Sequence, residues 1–179
     1  KGIVSFELKS KGGDWGGPTD RGIHGAFAAW VANPVWRMTK ALSSMIGENE
    51  NEILIDGFYD GILPLEKEKD EALAASADLL DEEEWKTAYD VKKFKWDLTG
   101  LDLWKKMLTV PTLNIDGIKG GYIGEGSKTL LPHEVTVKMD IRLVPGMKPD
   151  EMLKKVRKHL DSRGFQDIEI EEYGKPYDP

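Results

Sequence analysis

Few side chains in this chain carry chemistry by type alone. Cysteine is absent and the histidines are His24, His133 and His159. Thiolate nucleophiles, disulfides and cysteine-held metals are thereby excluded. No His-Glu-x-x-His spacing offers a metal site, and no Gly-x-Ser-x-Gly elbow offers a serine nucleophile. His159 falls near the end of an amphipathic helix, where a cation suits the dipole, so its place reads as structural. His133 opens a strand and is expected at the surface. His24 differs, because it stands between Gly22 and Gly25 at the end of a glycine-rich stretch. There an imidazole is free to swing toward something outside its own domain. Arg142 sits on the polar face of a strand, near the strand's end. Its guanidinium either forks onto a carboxylate or makes a surface salt bridge with Asp140 or Glu134. The stretch Gly121-Tyr-Ile-Gly-Glu-Gly-Ser-Lys-Thr129 imitates a phosphate loop. However, one residue too many separates Gly121 from Lys128, and Leu130-Leu131-Pro132 runs toward a strand instead of opening a helix.

The elements that must hold these residues can be read from hydrophobic period and capping. Gly2–Lys9 alternates as a half-buried strand. A loop with five glycines between Gly12 and Gly22 comes next. Asn33-Pro34 caps and opens a helix whose Val35, Met38, Leu42 and Met45 share a face, with Gly47 as its stop. Ile53–Tyr59 reads as a second strand. Pro64–Leu108 reads as an inserted, helix-rich segment. Within it, helix is expected over Glu66–Leu80 and again after Asp81, and Trp85, Tyr89, Phe94 and Trp96 give it mass to pack down. Thr112–Lys119 and Glu134–Leu143 are predicted strands separated by a loop over Gly120–Lys128. Pro149 opens a second helix that buries Met152, Val156 and Leu160 and ends at Gly164. Asp167–Tyr173 closes as a strand. This order predicts an α+β two-layer sandwich, with an antiparallel sheet carrying both helices on one face in the ferredoxin-like, split βαβ manner.

Composition sets the outer bounds. The 179 residues, 40% hydrophobic and 32% charged, suit one globular domain. No apolar run approaches a membrane span, and no signal-peptide pattern is visible. A net charge of −7 argues against a nucleic-acid partner. Fourteen acids against two lysines lie between Glu48 and Glu84, which leaves the rest of the chain net positive and suited to anionic small molecules. The chain starts at Lys1 directly in a strand, as expected of a piece of a longer protein.

Two blocks resemble the lid, or dimerisation, domain of the M20 metallopeptidases, a family of carboxypeptidases, dipeptidases and deacylases. The first is Ile23-His24-Gly25 running into Trp30-Val-Ala-Asn-Pro-Val-Trp-Arg-Met38. The second is Pro111-Thr-Leu-Asn-Ile-Asp-Gly-Ile118, then Gly121 to Pro132, then Met139-Asp-Ile-Arg-Leu-Val-Pro145. The resemblance implies one lid domain over residues 1–179, with its insertion at 64–108. It also implies a separate catalytic domain that holds two zinc ions and a glutamate base. No cofactor is expected in this chain, which on its own should be inactive. By the same resemblance His24 reaches across a homodimer to donate to the oxyanion formed at the scissile carbonyl. Thr129 contacts substrate, Arg142 clamps the substrate's terminal carboxylate, and Asn114 is a weaker match with a structural or substrate-binding role.

The partners implied are a second copy, the chain's own catalytic domain and a small peptide or N-acyl amino acid, with no nucleic acid or membrane. Cytoplasmic location is inferred only from the absence of targeting signals. Where dipeptidase members read His-Ser-Gly this chain reads His24-Gly25-Ala26, so the substrate class stays open. The competing expectation is a non-enzymatic α+β module that binds a ligand or protein through its uncovered sheet face.

Overall fold

A computed structural model describes residues 1–48 and 52–179; residues 49–51, part of the acidic block, lie outside the described residues. Two long strands build the centre, β1 (Gly2–Lys11) and β5 (Glu134–Leu143), flanked by β6 (Glu169–Tyr177) and β3 (Thr112–Gly120) in a four-stranded sheet of order β3-β5-β1-β6. Every pairing is antiparallel. The short strands β2 (Ile23–His24) and β4 (Leu130–Leu131) form a separate two-stranded ladder. The expected α+β sandwich is therefore the observed one.

Alternation decides which face of the sheet is buried. Val4, Phe6 and Leu8 of β1 and Val135, Val137, Met139, Ile141 and Leu143 of β5 point to one side and are almost wholly buried. Two helices cover that side. In α1 (Pro34–Ser44) Asn33 Oδ1 accepts from the Val35 N–H, which satisfies a free helix-end donor, and Met38 and Ala41 pack inward. In α5 (Pro149–Ser162) Met152, Val156 and Leu160 do the same. Arg37 then ties α1 to the loop after α5, through both carboxylate oxygens of Asp167 and the carbonyl of Gly164, with its guanidinium over the rings of Trp15 and Phe165.

The segment Ile53–Tyr59 is not the strand that its alternation suggested. A single bridge joins Ile53 to Ile46, after which the backbone turns, with Phe58 N–H on Ile55 O and Asp60 N–H on Gly57 O. Gly57 has φ +71, a left-handed value that stops an extended strand. Ile53, Ile55 and Phe58 are buried because these turns fold over the core. The same loop is held against the end of β5 by Leu63 N–H on Pro145 O. At Gly146, with φ +96, a Cβ would collide with Gly61 O, so only glycine fits that crossing.

Between this loop and β3 run three further helices: α2 (Lys67–Ser76), α3 (Glu82–Ala88), capped by Asp81 Oδ1 on the Glu84 N–H, and α4 (Gly100–Thr109). Helix α4 was not among the expected elements, although Leu101, Trp104 and Leu108 lie at helical spacing. Trp104 on it packs against Trp85 and donates to Ser76 Oγ, so the three helices hold one another. Tyr89, expected to pack down, is 70% exposed. The closing strand runs on to Tyr177, past the predicted Tyr173, with a shift of register opposite Ile3–Ser5.

Candidate functional site

The β2–β4 ladder places His24 opposite Leu130, and the Gly25 N–H donates to Thr129 O. This brings the imidazole and the Thr129 hydroxyl together, with Nε2 3.3 Å from Oγ1. His24 also starts a short 3-10 turn over Gly25–Ala29, and its Nδ1 accepts the Ala26 N–H at 3.1 Å. A ring nitrogen that accepts carries no proton, so the neutral ring holds its hydrogen on Nε2, the atom that faces Thr129 and solvent. Both side chains are exposed. The ring has Phe27 edge-on at 6.3 Å, and Phe27 in turn contacts Trp30, so a row of exposed aromatics flanks the histidine.

Arg142 lies elsewhere. It is on the open face of β5, half exposed, with Nε 3.0 Å from Asp140 Oδ1, an ion pair whose N–H is not aimed as a hydrogen bond. This is the salt bridge with Asp140 that the sequence allowed. Asp140 is only 5% exposed, although it is on the side of the sheet away from the helices. Asn114 on β3 is its register partner, and Asn114 Nδ2 donates to Asp116 Oδ1 at 2.8 Å and to Asp140 Oδ2 at 3.3 Å. Partial burial first, then the hydrogen bond and charge of Asp140, hold the Asp116 carboxyl above the ordinary aspartate range. Across the same row of the sheet, Ser5 pairs with both Asp140 and Tyr173. The Tyr173 phenol is likewise pushed up, by burial and then by Asp116 and Asp140. Arg142 is thus seated on a two-carboxylate cluster, and only its Nε is engaged.

Sequence reasoning named His24, Thr129, Arg142 and Asn114, and the structure sorts them into two groups. His24 and Thr129 form one pair, beside the start of β5. Arg142 and Asn114 form the other, near the end of the same strand. Glu134 and Arg142 are eight residues of strand apart, roughly 25 Å. Asp116, Asp140 and Tyr173 were not singled out. The alternation of β5 put Asp140 on the face of Arg142, but Asp116 and Tyr173 come from strands distant in sequence and needed the register.

His159 is structural, although not as a helix-end cation. It is fully buried, and its Nε2 is 3.0 Å from Ser44 Oγ at the end of α1. Desolvation first, then the charge of Arg163, pushes its pKa down, so the ring is kept neutral. Among the described residues no group of three or more His, Asp or Glu is arranged to hold a metal ion.

Residues 1–167 match the family model of the peptidase dimerisation domain of M20 enzymes, so the chain belongs to that family. It is 34% identical over 143 residues to the human Beta-Ala-His dipeptidase, covering 79% of this chain and 27% of that protein. It is 31% identical over 147 residues to the Cys-Gly metallodipeptidase DUG1 of Saccharomyces cerevisiae, covering 82% of this chain and 30% of the relative. Among solved structures, an M20 family metallo-carboxypeptidase, Sso-CP2, from Sulfolobus solfataricus superposes with a TM-score of 0.85 at 34% identity, over 99% of this chain and 44% of that one. The chain therefore spans less than a third of the length of these two curated relatives.

Proposed function

We propose that this chain is the lid and dimerisation domain of a zinc-dependent M20-type peptidase or amidohydrolase whose substrate is a small peptide or N-acyl amino acid with a free carboxylate. The observation that carries the reading is the separation of the two residue groups. A dipeptide spans roughly 7 Å, well short of the roughly 25 Å of β5 between Glu134, beside the His24 group, and Arg142. If both serve one reaction, they come from different protomers, and each active site is closed by two lids.

The rest of the parent enzyme supplies the metal ions, which polarise the scissile carbonyl and activate water. The part played by this chain is orientation and charge. His24 presents Nε2–H, fixed by the Ala26 amide on the other nitrogen, to the oxyanion that develops on the carbonyl oxygen. Thr129 Oγ1 stands beside it to contact the substrate. Arg142, held through Nε by Asp140, offers its two Nη groups as a fork to the substrate's terminal carboxylate.

The dimer seam in this reading is β3. The two edges of the sheet are β3 and β6. The β6 edge carries Glu169, Glu171 and Glu172 against one lysine, Lys175, and it holds Pro176, which has no N–H to pair. The β3 edge exposes Ile115 and Ile118, at 44% and 59%, which a second copy would cover.

The experiment is complementation in the full-length enzyme. His24→Ala and Arg142→Ala subunits, each defective alone, are mixed and allowed to exchange. Shared sites predict recovery toward roughly a quarter of wild-type turnover, the statistical share of intact sites in a two-fold dimer. No recovery, with both single variants defective and exchange verified by mass, rejects the cross-dimer arrangement.

A further inference from the structure

One pocket of about 410 Å³ lies between the β2–β4 ladder and the end of β3. Arg21, Lys119, Lys128 and His133 line it, together with the bare backbone of Gly120. The one carboxylate in its wall, Glu134, is engaged by Lys9 at 3.4 Å. The side chains of Arg21 and Lys119 make no ion pair or hydrogen bond with any described residue, and that of Lys128 only approaches the ring of Tyr122, at 5.6 Å. The chain carries 32 acids against 25 bases, so carboxylates are in excess, yet among the described residues none but Glu134, already paired with Lys9, lines the pocket of these three cations. Like charges that share one cavity repel, and this arrangement is relieved by a counter-ion from outside the chain. The pocket is also distinct from the Arg142 group, which is at the far end of β5.

We propose that this pocket binds a small polyanion, a ligand carrying a phosphate group or several carboxylates. Three cations around a cavity of this size match an anion with oxygens on several sides, and a single carboxylate would leave part of the charge unanswered. Every residue that lines it belongs to this chain, and neither His24 nor Arg142 is among them.

The test uses this chain at low ionic strength, with inorganic phosphate and citrate as probes and sodium chloride at matched ionic strength as reference. Amide chemical shifts should move saturably at Gly120, Gly121 and Leu130 with either probe, and the tighter of the two identifies phosphoryl or carboxylate chemistry. Arg21→Ala and Lys119→Ala should each weaken binding about three- to tenfold. Lys67→Ala, on the exposed face of α2, should leave it unchanged. Equal shifts with chloride, shifts that do not saturate, or an equal loss in Lys67→Ala overturn the proposal.

Discussion

His24 Nε2 lies 3.3 Å from Thr129 Oγ1, and the Ala26 amide on Nδ1 makes Nε2 the protonated nitrogen. A surface histidine with no such contact would share its proton between both nitrogens and point in many directions. Here a backbone N–H from the adjoining turn fixes both the tautomer and the ring plane, which readies a donor without the aid of a buried carboxylate.

A donor that acts on a developing oxyanion affects turnover more than binding. In the full-length enzyme His24→Ala should lower kcat by ~10²–10³ with a smaller change in KM. Arg142→Ala should act the opposite way and raise KM for substrates with a free terminal carboxylate, with little effect on those whose carboxylate is amidated. Steady-state kinetics on such a substrate pair checks both, and an unchanged kcat in His24→Ala removes the histidine from the reaction.

The raised pKa of Asp116 gives stability a definite sign with pH. An acid whose folded pKa lies above its unfolded one holds its proton better in the folded state. Its stabilising share is complete below the ordinary aspartate range and is lost as pH rises through the raised value. Asp116→Asn, which cannot ionise beside Asp140, should therefore be spared this loss and melt higher than the parent at pH 7. Denaturant titrations of both proteins at pH 4 and pH 7 decide it, and equal pH dependence in the two would exclude the pairing.

His159 works in the other direction. Its folded pKa is lowered by burial, so protonation favours the unfolded chain. Stability should fall as pH drops from about 6.5 toward the lowered value, because the unfolded histidine takes up a proton that the buried one refuses. His159→Gln keeps a donor for Ser44 Oγ and removes the titration, so its melting temperature should vary less over that window. Thermal melts in steps of pH between 5 and 7 (about the histidine range) supply the comparison.

If β3 is the seam, a charge on its apolar edge should break it. Ile118→Lys should shift the protein toward monomer in sedimentation velocity, while Glu171→Lys on β6 should leave the association unchanged. The reverse result would move the interface to β6.

Much of the scaffold was legible in the sequence because its signals are local. The alternation of β5, the Asn33-Pro34 cap of α1 and the apolar stripe of α5 are each written in neighbouring residues, and the strand–helix order they imply is that of the sandwich. Ile53–Tyr59 misled because an apolar alternation is the same whether a strand or a set of turns buries it, and Gly57 decided for turns. The helix α4 was not anticipated although Leu101, Trp104 and Leu108 recur at helical spacing, a local signal of the same kind.

The candidate site divides along the same line. Residue type and position made His24 and Arg142 candidates in a cysteine-free chain with three histidines, and the resemblance to M20 lid domains gave them their expected roles. Only the tertiary structure decided that Thr129 stands on His24, that Asn114 and Asp116 stand on the carboxylate beneath Arg142, and that the length of β5 keeps the two groups apart. Those relations depend on strand register, in the β2–β4 ladder for His24 and, for the Arg142 group, in the main sheet, whose register is set by the packing of one whole face on its helices.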